Sequence, residues 1–177
     1  AGTPTLSSAA SRLVHGGTPF DLDLPLNGRG IECRRSGPNS DYSVVFTFTT
    51  NVSNCGTTPN ANGTVVSGPD ADQCTVNLTG VVNAQTITVE LDNVTDVFGA
   101  NGNVSVLMGL LVGDTNADAF VDAADTAQAK SQSGKALTQS NFREDVNADG
   151  FIDAVDVSLV KSRSGSVLNS SHQARSR

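Results

Sequence analysis

Tryptophan is absent from this chain, tyrosine occurs once, as Tyr42, and histidine twice, as His15 and His172. Sugar-binding faces use exposed Trp or Tyr platforms, so carbohydrate recognition is disfavoured. Two histidines, the second in a polar C-terminal stretch, leave no credible nucleophile, base and orienter. Glu32, Asp41, Glu90, Asp92 and Asp96 are carboxylates of the kind glycosidases pair. A domain this small offers little cleft for them, and the chain reads as not an enzyme. Basic residues are also few: Lys and Arg total 11 against 18 Asp and Glu, a net charge of −7. The basic spots, Arg34 with Arg35 and Arg175 with Arg177, are too small to displace counterions from phosphates, so nucleic acid is excluded as a partner. No apolar run reaches membrane-spanning length, since the longest, from Val104 to Val112, is interrupted by Ser105 and Gly109.

What is abundant is Thr, Ser, Asn, Val and Gly, the composition of an extracellular β-protein surface. At 177 residues the chain allows two small modules, and a composition shift near Gly113 places the boundary: 1–112, 113–168 and a tail, 169–177. Residues 12–112 alternate with period two. Phe20, Leu22, Leu24 and Leu26 form one apolar set; Val44, Phe46 and Phe48 a second; Ile87, Val89 and Leu91 a third. Turn signals at Asn27-Gly28, Asn62-Gly63, Ser67-Gly68-Pro69 and Asn101-Gly102 separate them. About seven strands with this spacing fit an immunoglobulin-like β-sandwich, although a jelly roll shares the alternation. The last strand, NVSVLMGLLVGD, carries Leu107, Leu111 and Val112 on its second face and should be buried on both. It runs into Asp114 without a spacer, so the two modules should pack rigidly.

Of the three cysteines, Cys55 and Cys74 flank a loop rich in Asn, Gly and Pro, which suits a disulfide in an oxidising compartment. Cys33 is left over, as a buried thiol or an intermolecular bridge. Sequons at Asn51, Asn62, Asn77, Asn93, Asn103 and Asn169 become glycan sites only in a host that glycosylates them. If the chain is secreted, Ala1 is expected to be the end left by cleavage of a leader.

The C-terminal module says nearly the same thing twice. GDTNADAFVDAADTAQAKSQSG starts at Gly113 and EDVNADGFIDAVDVSLVKSRSG at Glu144, aligning without a gap at an offset of 31 residues. Asp114, Asn116, Asp118, Asp122 and Asp125 fall at loop positions one, three, five, nine and twelve, with Phe120 at seven. Asp145, Asn147, Asp149, Asp153 and Asp156 repeat this, with Phe151 at seven. A calcium ion takes six to eight oxygens at about 2.4 Å, and position seven offers its backbone carbonyl. Four carboxylates in one loop repel by roughly 1 kcal/mol per close pair even in water, so the ion should be a folding ligand too. Position twelve is Asp rather than the usual Glu. Ala119 replaces Gly150 at the tight turn, so the first loop is expected to be strained.

Two such loops, each followed by one short helix, resemble a type I dockerin module over residues 113–168. The resemblance implies two calcium ions, a pseudo-twofold pair of loop-helix units, and docking to a β-sandwich partner, a cohesin. It places partner contacts at Ala123, Ala124 and Lys130 in one copy and Ala154, Val155 and Lys161 in the other, where the family commonly has a Ser-Thr pair. The segments HGGTPFDLDLPLNGRGIECR and DYSVVFTFTTNV are similar to sandwich modules that precede dockerin-like repeats in bacterial surface and secreted proteins.

These readings converge on a mainly β protein with a small α module: an extracellular, calcium-stabilised structural protein that self-assembles through contacts between its dockerin-like module and the sandwich of another copy. A tail such as NSSHQARSR, if ordered, would need a surface to lie on. The alternative is a secreted docking or adhesion module that binds a separate cohesin-like partner or carbohydrate.

Overall fold

A computed structural model describes residues 2–169; the rest of the tail, with His172, Arg175 and Arg177, lies outside the described residues. Nine strands precede two helices: β1 (Leu6–His15), β2 (Thr18–Asp23), β3 (Arg29–Glu32), β4 (Tyr42–Phe48), β5 (Val52–Asn54), β6 (Gly63–Ser67), β7 (Gln73–Leu78), β8 (Gln85–Asp96), β9 (Asn101–Leu110), then α1 (Ala123–Gln132) and α2 (Ala154–Ser162). The strands form a five-stranded sheet, β2-β1-β4-β7-β6, and a four-stranded sheet, β3-β9-β8-β5. Within them β1-β4-β7-β6 and β9-β8-β5 reproduce the A-B-E-D and G-F-C order of immunoglobulin domains. The two strands beyond the expected seven are β2, a hairpin partner added outside β1, and β3, which pairs in parallel with β9.

Period-two alternation builds the core between the sheets. Phe20, Leu22, Leu24, Val44, Phe46, Phe48, Val89 and Leu91 are all buried, while Leu26, past the end of β2, is exposed. A disulfide joins Cys55, just beyond β5 in one sheet, to Cys74 on β7 in the other, with Cα atoms 5.6 Å apart. Cys33 is a buried free thiol.

Three expectations need correction. Asn101-Gly102 is not a turn but the start of β9; the chain reverses at Val97 and Phe98, and Gly102 lies so close under the Thr3 side chain that a Cβ there would push it aside. Leu107 is 39 % exposed, so the second face of β9 is covered only toward its end, where Leu168 lies against Gly109. Arg34 is no surface basic spot, since it is fully buried.

The chain passes from β9 into the helical module through buried Leu111 and Val112. Residues 32–35 then act as a seam. The Leu111 N–H donates to Glu32 O at 3.0 Å, Gly113 N–H to Cys33 O at 2.9 Å, and Arg35 N–H to Val146 O at 2.6 Å. Arg143 donates to Ile31 O on β3 and to the carbonyls of Asp114 and Thr115. The two modules are thus joined by backbone bonds and packing rather than by a tether.

Candidate calcium loops and docking face

Each helix begins where its loop ends. Asp122 and Asp153 are the N-caps, accepting from Ala124 and Val155 N–H at 2.7 Å, while Asp125 and Asp156 return a bond to the N-cap N–H at 2.8 and 2.9 Å. These capping boxes satisfy orphan amides and place acidic charge at the positive helix end. Loop positions nine and twelve are therefore the helix-start signals themselves. An Ala-rich α1 and a Val-rich α2 pack together, burying Ala129, Val157 and Val160 with Val121, Phe142, Val146, Ile152 and Leu168.

The 31-residue offset also governs contacts between the halves. Gly134 N–H donates to Ile152 O and Gly165 N–H to Val121 O, both at 2.8 Å, so each helix end holds position eight of the other loop. This is the pseudo-twofold relation. It is broken at the rim, where Phe120 bridges Val167 and the segment leading to Leu168 covers the first loop.

Inside each loop, position one is buried and curled upon. Asp114 accepts from Asp118 and Ala119 N–H at 3.1 and 2.9 Å; Asp145 accepts from Asp149 and Gly150 N–H at 3.1 and 2.8 Å. Position twelve is buried as well, with Asp125 accepting from Thr115 and Asn116 N–H and Asp156 from Asn147 N–H. Burial pushes the Asp114 carboxyl above its ordinary value, and the like charges of Asp125 and Asp118 push the same way against its loop hydrogen bonds. Asp156 is raised by burial and by neighbouring Asp145, opposed by its amide bonds. Position five is exposed in both copies: Asp118 and Asp149 accept from the Phe120 and Phe151 N–H at 3.0 Å and from the side-chain amides of Asn116 and Asn147.

These residues fit a hard cation in two respects. Asp114, Asp125 and Asp156 are buried carboxylates with no basic side chain in ion-pair contact among the described residues, a costly state that a cation relieves. The carbonyls of Phe120 and Phe151 accept no hydrogen bond from the described residues. In the geometry as it stands, no three His, Cys, Asp or Glu side chains converge into one cluster among the described residues. Asp118 and Asp149 are engaged with their own loops.

Ala119 lies at φ +73°, so a side-chain-bearing residue does occupy the left-handed turn held by Gly150 at φ +96° in the second loop. Ala117 and Ala148, at position four of each loop, are also left-handed, which the sequence did not signal. The six expected contact residues, Ala123, Ala124, Lys130, Ala154, Val155 and Lys161, are all exposed. Ala123, Thr126, Ala127, Lys130, Lys161 and Ser164 line one shallow groove along the helix pair. Functional residues that the sequence did not signal are Arg143, which ties the first loop to β3, and His15, whose ring reaches Asp145. Neither carries a local signal, because each acts across more than a hundred residues of chain.

Residues 112–163 match the family model of the dockerin type I domain. The C-terminal part of the chain is therefore a dockerin type I module, and an immunoglobulin-like sandwich precedes it. Modules of this type bind calcium and dock to cohesins, and proteins that carry them are typically extracellular or on the cell surface. No curated protein matches the chain, and no solved structure matches it. No helix among the described residues is long and apolar enough to cross a membrane.

Proposed function

We propose that this chain is a non-catalytic, secreted docking protein, whose dockerin module binds two calcium ions and grips a separate cohesin-type β-sandwich with its helix face. Asp114, Asn116, Asp118, Asp122, Asp125 and the Phe120 carbonyl hold one ion; Asp145, Asn147, Asp149, Asp153, Asp156 and the Phe151 carbonyl hold the other. The observation that carries this reading is the buried pair of carboxylates at positions one and twelve of each loop. Calcium offsets their repulsion and so shapes the groove next to them. Small Ala123 and Ala127 give that groove a flat apolar floor, and Lys130 and Lys161 give it cationic edges, which suits a partner with an acidic rim around an apolar centre. The disulfide supports an oxidising, extracellular setting.

Calorimetric titration of the purified chain with calcium, then with type I cohesin domains in calcium and in chelator, tests the reading. Two calcium equivalents and cohesin binding that disappears in chelator are expected. Lys130→Glu together with Lys161→Glu should abolish docking while leaving calcium uptake unchanged. Failure of every cohesin domain to bind in calcium would overturn the docking role.

One observation favours self-assembly as a second reading. Sandwich and module are fixed to each other by bonds at residues 32–35, so the helix face cannot fold back onto its own sandwich, and any such contact would run head to tail between copies. Sedimentation in calcium decides it, since a monomer at all concentrations removes the polymer.

A further inference from the structure

One line of buried polar groups serves neither the sandwich core nor the docking groove. Glu32 and Arg34 form a fully buried ion pair, Oε2 to Nη2 at 2.7 Å and Oε1 to Nε at 2.8 Å. Such pairs seldom add net stability, so their presence calls for another reason. Arg34 also donates to Ser11 O and Phe20 O, and its Nη1 lies 3.0 Å from His15 Nε2. A guanidinium can only donate. His15 Nε2 must therefore accept, which leaves the ring proton on Nδ1, and Nδ1 lies 2.8 Å from Asp145 Oδ2. The ring cannot turn away, because it stands edge-on to Phe20 and Phe142 at 5.1 and 6.2 Å.

Asp145 is position one of the second loop. Its counterpart Asp114 receives the same two loop amides but, among the described residues, no side chain from the sandwich. The backbone is fitted at the same place: a Cβ on Gly16 would lie 2.7 Å from Asp149 O, and one on Gly150 2.9 Å from Gly16 Cα. The β1–β2 turn thus rests directly on positions five and six of the second loop.

We propose that the β-sandwich supplies the second calcium loop with a positioning residue: His15 orients Asp145 for the ion, so that filling this loop and seating the module on the sandwich stabilise one another. The inference rests on reading the loops as calcium sites. Groups that orient a ligand typically change metal affinity by about 10- to 100-fold, and linkage makes the effect reciprocal. The first loop has no such side chain on its position-one carboxylate among the described residues; its ties to the sandwich run through backbone carbonyls instead.

Single-loop backgrounds test it. Asp125→Ala leaves the second loop to bind calcium, and Asp156→Ala leaves the first. Adding His15→Ala should weaken calcium binding about 10- to 100-fold in the Asp125→Ala protein and leave it unchanged in the Asp156→Ala protein. His15→Asn, which restores a donor toward Asp145, should recover much of the loss. Equal weakening in both backgrounds, as general destabilisation would give, overturns the proposal, as does no change in either. The unsubstituted protein gives a reading that does not depend on any variant folding: the Nδ1 resonance of His15 should move as the second loop fills, and an unmoved resonance at full calcium occupancy overturns the proposal. An unsubstituted chain that takes up no calcium overturns the calcium reading itself, a result distinct from these.

Discussion

At the scale of the residue, several side chains here hold two roles at once. Asp125 closes the first loop and also completes the capping box of α1 through the Asp122 N–H. Asp125→Ala should therefore cost at least about 1 kcal/mol in chelator, where the cap bond is lost and the Thr115 and Asn116 N–H groups lose their acceptor, and more in calcium, where the ion is lost too. Thermal melts of the variant in both conditions separate these contributions, and a loss confined to calcium would dismiss the capping role. Asp156→Ala should act likewise on α2. Cys33 shows the opposite economy: burial pushes its thiol up to about 12, and its sulfur donates to the Arg143 carbonyl at 3.5 Å. Thiolate is the reactive form, so Cys33 should resist alkylation in the native protein and label fully in denaturant. Rapid native labelling would mean that the seam between the modules opens.

At the scale of the element, the order of loop then short helix in each copy was legible from the duplicated pattern, and the structure adds that positions nine and twelve form the capping box. Strands β2, β4 and β8 were legible too, because Phe20, Leu22, Val44, Phe46, Val89 and Leu91 alternate with polar neighbours. The first part of β1 was not. Its inward face is Ala9, Ser11, Leu13 and His15; His15 is polar because its ring meets Arg34 across the core, a partner that no local pattern announces, while Ser11 offers Arg34 its backbone carbonyl. The exchange of Ala119 for Gly150 was visible, but only the fold explains both sides of it. Ala119 merely bears a left-handed φ, whereas Gly150 also admits the backbone of Gly16. Ala119→Gly should raise stability by about 0.5–1 kcal/mol, as relief of the left-handed strain exceeds the added chain entropy. Gly150→Ala should lower it by more, through collision with the β1–β2 turn. Chemical denaturation of the two variants checks the pair, and equal effects would mean that the loops are interchangeable.

At the scale of the whole molecule, charge and metal set opposite responses to acid. Glu32 is buried, which by itself would raise its carboxyl, but the charge and hydrogen bonds of Arg34 outweigh this and hold it below the ordinary range. A depressed carboxylate contributes stability above its unfolded value of about 4.3, and that contribution is lost as pH falls through the folded value. Asp114 and Asp156 are shifted upward, so without calcium their ionisation penalises the fold. As pH falls from above their folded values toward the ordinary Asp range near about 3.9, they take up protons and the penalty disappears. In chelator, therefore, the melting temperature should rise as pH is lowered from neutrality toward the upper carboxylate range, then fall once Glu32 protonates. In saturating calcium the same aspartates must remain ionised to hold the metal, protons compete with it, and the melting temperature should fall from the outset. The calcium increment thus shrinks steadily with acid. Scanning calorimetry across this range with and without calcium tests the argument, and parallel curves would show that the buried aspartates are not where the ion acts.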